Sequence, residues 1–216
     1  MLVEHRAREP MLPPVLFTSA RFGGATAVGL LFNLGLYGVL FCLALVLERS
    51  LHASAAITGL ALLPLTAVVA VCALVSGRLT TRFGPKTPML LGLAGGLAGT
   101  GLLAGFGDHL GVAGLAGGGA VLGLVGLTMP AMTGVALSAA GPQRAGLGAA
   151  VLNAARQAGG ALGVALLGSA ALQHVAQHEP PSATPHLLLP MALAAIGYLA
   201  AIIVTMATIG ERAKTP

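Results

Sequence analysis

Apolar and polar positions in this chain do not alternate; they separate into long apolar stretches joined by short charged ones. Gly24 to Leu47, Ile57 to Gly77, Thr87 to Gly107, Leu110 to Gln143 and Leu187 to Gly210 contain no Asp, Glu, Lys or Arg, and Ala145 to Leu172 contains one charge, Arg156. A helix crosses the hydrocarbon core of a bilayer with roughly 20 apolar residues. The stretch from Leu110 holds one span, because two spans and a turn take more than about 40 residues. The pattern predicts an all-α integral membrane protein, a six-transmembrane-helix bundle over 22–210 with spans at about 24–47, 57–77, 88–107, 111–138, 146–172 and 187–209. Segments 1–21 and 211–216 flank the bundle.

Composition removes the soluble alternative. Residues are 56% hydrophobic and 8% charged, against about 25% charged in soluble domains, too few to cover a globule in water. The charges also set an orientation. Six spans put both termini on one side with the segments around Arg78 to Lys86 and Arg144, and that side carries nine Lys or Arg. The other side carries Arg49 against Glu48, Asp108 and Glu179. Positive-inside bias makes the first side cytoplasmic, so the expected setting is a multi-pass protein of the cell membrane with both termini in the cytoplasm. The high isoelectric point reflects this topology and not nucleic-acid binding.

The mixed charges and prolines before Arg21, followed by a span-length run, read as a retained first helix and not a signal peptide. Cys42 and Cys72 lie inside spans without metal or disulfide spacing. His174, His178 and His186 share a proline-containing outer loop, where a solvated segment is the simpler reading than a metal or pH-sensing site. No metal or cofactor is expected, and no nucleophile–base pair, His-Glu pair or phosphate loop points to an enzyme.

Glycine is abundant, at 32 residues, and small residues let membrane helices approach closely. Gly92, Gly96 and Thr100 step by four, as do Gly95 and Gly99, Gly101 and Gly105, and Gly119 and Gly123. The third and fourth spans are therefore expected to pack tightly. Pro64 and Pro130 lie within spans as candidate hinges, since proline removes a backbone hydrogen bond and crowds the preceding turn; shaping of a static helix is the alternative.

Arg156 is the sharpest candidate for function. Eleven residues beyond Ala145, it sits roughly 16 Å along a helix, deep enough that its charge is expected to face a cavity or partner; snorkelling toward the cytoplasm is the alternative. Asn153 and Gln157 add polar groups beside it. On the first span Thr26, Asn33 and Tyr37 fall at helical spacing and form a second candidate lining, or else helix–helix hydrogen bonds. Met129 and Met132 suit a soft surface for apolar compounds or simply fill the core. No acid lies within any span, which leaves no intramembrane carboxylate for proton coupling.

The segment Gly77-Arg-Leu-Thr-Thr-Arg-Phe-Gly-Pro-Lys86 resembles the loop signature of the major facilitator superfamily, G-x-L-x-D-R-x-G-R-K, at Gly77, Leu79, Arg82, Gly84 and Lys86, and departs from it at Thr81 and Pro85. A glycine turn with cations at the cytoplasmic boundary makes Gly77, Arg78, Arg82, Gly84 and Lys86 a candidate gating loop, or a plain topology signal. The run Asn153-x-x-Arg156-Gln157-x-Gly159-Gly160-x-x-Gly163 resembles the fifth helix of the C-terminal half in the fourteen-span drug–proton antiporter branch, and Pro10-Met-Leu-Pro-Pro14 and Gly59 to Pro64 are similar to the same branch.

The resemblance implies one half of a major facilitator fold: the C-terminal bundle of a proton-coupled exporter of lipophilic or cationic small molecules working by alternating access. Residues 1–21 then correspond to a former connection between halves, and the coupling protons and acids belong to a missing N-terminal bundle, without which export is not expected. The alternative is a half-size interaction or scaffolding protein that self-associates or pairs with a separate N-terminal half.

Overall fold

The computed structural model describes residues 16–106, 111–177 and 187–210. Residues 1–15, 107–110, 178–186 and 211–216, with Asp108, His178 and His186 among them, lie outside the described residues.

Among the described residues, seven α-helices make six membrane-length spans: α1 (Ala20–Arg49), α2 (Ala55–Phe83), α3 (Lys86–Phe106), α4 (Gly111–Leu122) with α5 (Thr128–Ala140), α6 (Ala145–Gln177) and α7 (Leu188–Thr208). Among the described residues every regular element is helical, as expected for the fold class. A helix satisfies the backbone groups of each apolar run within the run itself, as lipid requires. Ser19 and Ser54 start α1 and α2 by accepting from the amides of Phe22 and Ile57, each at 3.4 Å. Gly84 (φ 81°) and Gly141 (φ 78°) end α2 and α5 in a conformation that L side chains rarely adopt.

The segment expected as a loop, Gly77 to Lys86, is mostly helix. α2 runs unbroken to Phe83, and only Gly84 and Pro85 separate it from α3. The turn glycine is thus Gly84, whereas Gly77 sits in regular helix with open space where a Cβ would stand. Charge ends the apolar run at Arg78, but charge does not end a helix at the bilayer boundary.

α1 is central and packs mainly against α6 and α7; α3 joins α7 to the fourth span, and α2 leans on α4 and the turn that follows it. The tightest contact is α1 on α6. A Cβ at Gly159 or Gly163 would collide with the carbonyl oxygens of Leu30 and Leu34, so these backbones touch directly. The third and fourth spans also pack closely, through Gly92, Gly95 and Gly99 against Thr128, Leu124 and Leu122. Gly101 and Gly105 face open space and take no part.

Pro64 and Pro130 behave differently. α2 passes through Pro64 without interruption. The fourth span breaks, with the 3-10 segment Gly123–Leu127 between α4 and α5. Pro130 has no N–H for the carbonyl of Gly126, and its ring crowds that turn. Neighbours hold the irregular segment: Ser76 Oγ on α2 donates to the Leu127 carbonyl at 2.6 Å, and Thr128 Oγ1 donates to the Met89 carbonyl on α3 at 3.3 Å. This is how membrane helices accommodate a proline.

Candidate functional site

Three helices meet at Arg156. Leu152 and the Arg156 stem from α6 and Met132 from α5 close over Gly29 of α1, where an added Cβ would stand 3.1 Å from Arg156 Cγ. Asn33, one turn further along α1 and 3% exposed, donates from Nδ2 to the Arg156 carbonyl oxygen at 2.8 Å. That bond ties α1 to α6 at the depth of the arginine.

The guanidinium does not turn back along α6 to the N-terminal end of that helix. Its Nη2 lies 3.5 Å from the Met129 sulfur, and Met129 is 11 residues, about 16 Å of helical rise, from the end of α5 at Ala140. Arg156 Nε is buried without a hydrogen-bond partner, as is Asn33 Oδ1. The head group is thus enclosed on its α1 side and open toward Met129, which is 37% exposed.

The residues singled out in the sequence separate here. Asn153 and Gln157 are exposed on α6 on either side of Arg156. Tyr37 is 47% exposed and lies over Gly160, with ring carbons 3.3 Å from an added Cβ there. Asn33 faces inward and makes a helix–helix hydrogen bond. Thr26 is buried and bonds the Phe22 carbonyl of its own helix. Met132 is fully buried as core. The supposed second stripe on α1 therefore does not stand across a space from α6, because α1 packs directly on it.

The cations at the end of α2 stand apart from this junction. Arg78 and Arg82 are exposed on the last turns of α2, with the Arg82 guanidinium 5.2 Å from the centre of the Phe83 ring. Basic side chains at a helix C-terminus are favoured by its dipole.

No protein-family model matches the chain. Curated relatives are clear. The chain is 37% identical over 169 residues to the Methylenomycin A resistance protein of Streptomyces coelicolor, covering 77% of this chain and 35% of that protein. It is 37% identical over 197 residues to the Puromycin resistance protein pur8 of Streptomyces alboniger, covering 85% and 38%. The Multidrug resistance protein Stp of Mycobacterium tuberculosis is 32% identical over 173 residues, covering 77% and 31%. In three dimensions, a crystal structure of the peptide transporter POT, a mutant in complex with alafosfalin, superposes with a TM-score of 0.68 at 21% identity over 95% of this chain and 40% of that one. The chain belongs to the major facilitator superfamily.

It spans about a third of the length of the curated relatives it matches, 35% and 38% for the first two. Within this major facilitator bundle, sequence reasoning missed Ser76 and Thr128, the two hydroxyls that bridge helices at the broken span. It also missed Tyr198, fully buried against Gly35 and Gly96 with its hydroxyl unpartnered. A lone hydroxyl in an apolar run carries no mark of which neighbour it meets.

Proposed function

We propose that this chain forms the C-terminal half of a fourteen-span, proton-coupled exporter of drugs or similar small molecules, driven by rocking of two bundles about a central site. The observation that carries this reading is the outer face of α6: Asn153 and Gln157 are exposed at mid-span around Arg156, an arrangement suited to a polar pathway and costly in lipid. The names of the relatives support export of antibiotics as the class of activity.

The facing wall of the pathway comes from a second bundle, on the same or another chain. Asn33 and Met132 support the wall of the pathway from within, while Tyr37, Asn153, Arg156 and Gln157 line it. Pro130, with the 3-10 segment before it, is the hinge; Pro64 shapes α2. Gly77, Arg78, Arg82, Gly84 and Lys86 form the cytoplasmic gate region, with both termini on that side. The acid of the described helices, Glu48, stands at the far end of α1 outside the apolar runs, so proton coupling, and any cationic substrate, depends on carboxylates of the facing bundle. The six helices alone do not export.

A drug-sensitive bacterial strain tests this. The chain joined to a facing bundle gives resistance that a protonophore abolishes, and the 216-residue chain alone gives none. Proton-dependent efflux by the short chain alone would overturn the two-bundle reading. The alternative is a half-size interaction protein, which self-association on purification, with no efflux in any pairing, would favour instead.

A further inference from the structure

We infer that Arg156 recognises a carboxylate that comes from outside these six helices. This rests on the reading of the α6 face as a pathway wall, and it specifies the chemistry that the wall selects.

Charge gives the first half. Arg156 carries the one charge of its apolar run, and the acids of the chain are Glu4, Glu9, Glu48, Asp108, Glu179 and Glu211, all outside the apolar spans. The described one, Glu48, ends α1 on the far side, 15 residues beyond Asn33 and so about 22 Å away along the helix. It cannot reach the guanidinium.

Geometry gives the second half. The Met129 sulfur, at 3.5 Å from Nη2, is a weak acceptor that an anion displaces. Nε is buried with no partner, so a donor enclosed by protein is left unused. The guanidinium is a rigid planar fork whose Nε–H and Nη–H pair matches the two oxygens of one carboxylate. Its base is fixed: Asn33 holds the Arg156 carbonyl at 2.8 Å, and the stem lies against Gly29. The flanking exposed side chains, Asn153 and Gln157, are neutral amides, able to bond an acid without neutralising the arginine.

The same carboxylate chemistry can come from a substrate or from a side chain of the facing bundle. The chain in lipid nanodiscs is treated with phenylglyoxal, which modifies arginine, and modification at Arg156 is followed by peptide mass spectrometry with Arg78, Arg82 and Arg144 as internal references. The probes are 2-naphthoate and its methyl ester; the chain has no Trp to interfere with naphthalene fluorescence. The acid is expected to slow modification of Arg156 about tenfold, as charge-assisted bonds imply, while the ester and the reference arginines show no change. Naphthoate binding loses its preference over the ester in Arg156→Gln and keeps part of it in Arg156→Lys.

Arg156 that is reactive in nanodiscs but protected in native membranes without added acid assigns the carboxylate to the facing bundle. Equal rates with acid and ester together with no protection in native membranes, or an arginine that phenylglyoxal never reaches, overturn the proposal. Acid protection in a protein that exports nothing keeps the site and removes the transport reading. Export that survives Arg156→Gln with its preference for acids unchanged does the reverse.

Discussion

The outer faces of α6 and α7 are both built on apolar helices of membrane length, yet they are opposite in character. α7 exposes Leu188, Leu193, Ile196, Leu199, Ile203 and Met206, all large and apolar; it turns Tyr198 and Thr205 fully inward, and half-buried Thr208 at its end bonds the Val204 carbonyl of its own helix. α6 exposes Asn153, Gln157 and Ser169 among Ala154, Ala158, Ala161 and Ala165, with Leu162 and Leu166 also outward. A helix against lipid keeps polar groups inside the protein, because an unpaired polar group in hydrocarbon is costly. α7 obeys that rule and α6 breaks it at mid-span. The difference teaches that exposure in an isolated bundle has two meanings, contact with lipid and contact with a pathway or partner, and that side-chain chemistry tells them apart.

The contact with α1 holds α6 in place, and its loss has the largest expected effect. Gly163→Leu forces a side chain into the Leu34 carbonyl and should destabilise the bundle by about 3 kcal/mol or prevent folding, seen as lost monodisperse protein on size-exclusion chromatography after heating. Ala158→Leu on the open face should change the melting temperature little.

A charge placed on each face comes next. Leu199→Arg on α7 should cost about 2.5 kcal/mol or more of membrane insertion, while Ala158→Arg on α6 in the assembled transporter costs clearly less. Equal penalties in a glycosylation-reporter insertion assay and in final protein yield would remove the distinction between the two faces.

Function sharpens the contrast further. Arg156→Ala in the assembled transporter should lower efflux at least about tenfold, equivalent to one strong charged contact, with normal membrane expression; Ile203→Ala should leave efflux unchanged. The smallest expected effect lies away from both faces. Ser76→Ala removes the bond to the Leu127 carbonyl and should cost about 0.6 kcal/mol, read as faster amide exchange in the Gly123–Leu127 segment and little else.

Much of the architecture was legible in the chain. Charge-free runs mark six helices because lipid tolerates neither charge nor unpaired backbone, and Arg156 stood out because it interrupts one such run. Other features were not legible for definite reasons. Gly159 and Gly163 bring backbones into contact while Gly101 and Gly105 do not, although both pairs have the same spacing; the neighbour decides, and spacing does not name it. The helix through Gly77 to Phe83 was hidden because charged residues mark the edge of the bilayer, not the end of helical hydrogen bonding. Met129 and Met132, three residues apart, received opposite roles, one beside the guanidinium and one in the core.

By itself, then, the sequence determined that this protein is helical, crosses the membrane six times and carries a lone arginine deep in its fifth span, since all three follow from transfer of apolar and charged groups between water and lipid. The tertiary structure alone decided that Asn33 grips the arginine's carbonyl, that the fourth span breaks before Pro130 and that α6, not α7, turns polar groups outward. Those outcomes depend on which helices touch, and helix contact in a membrane is selected by close packing and polar pairing between partners distant in sequence.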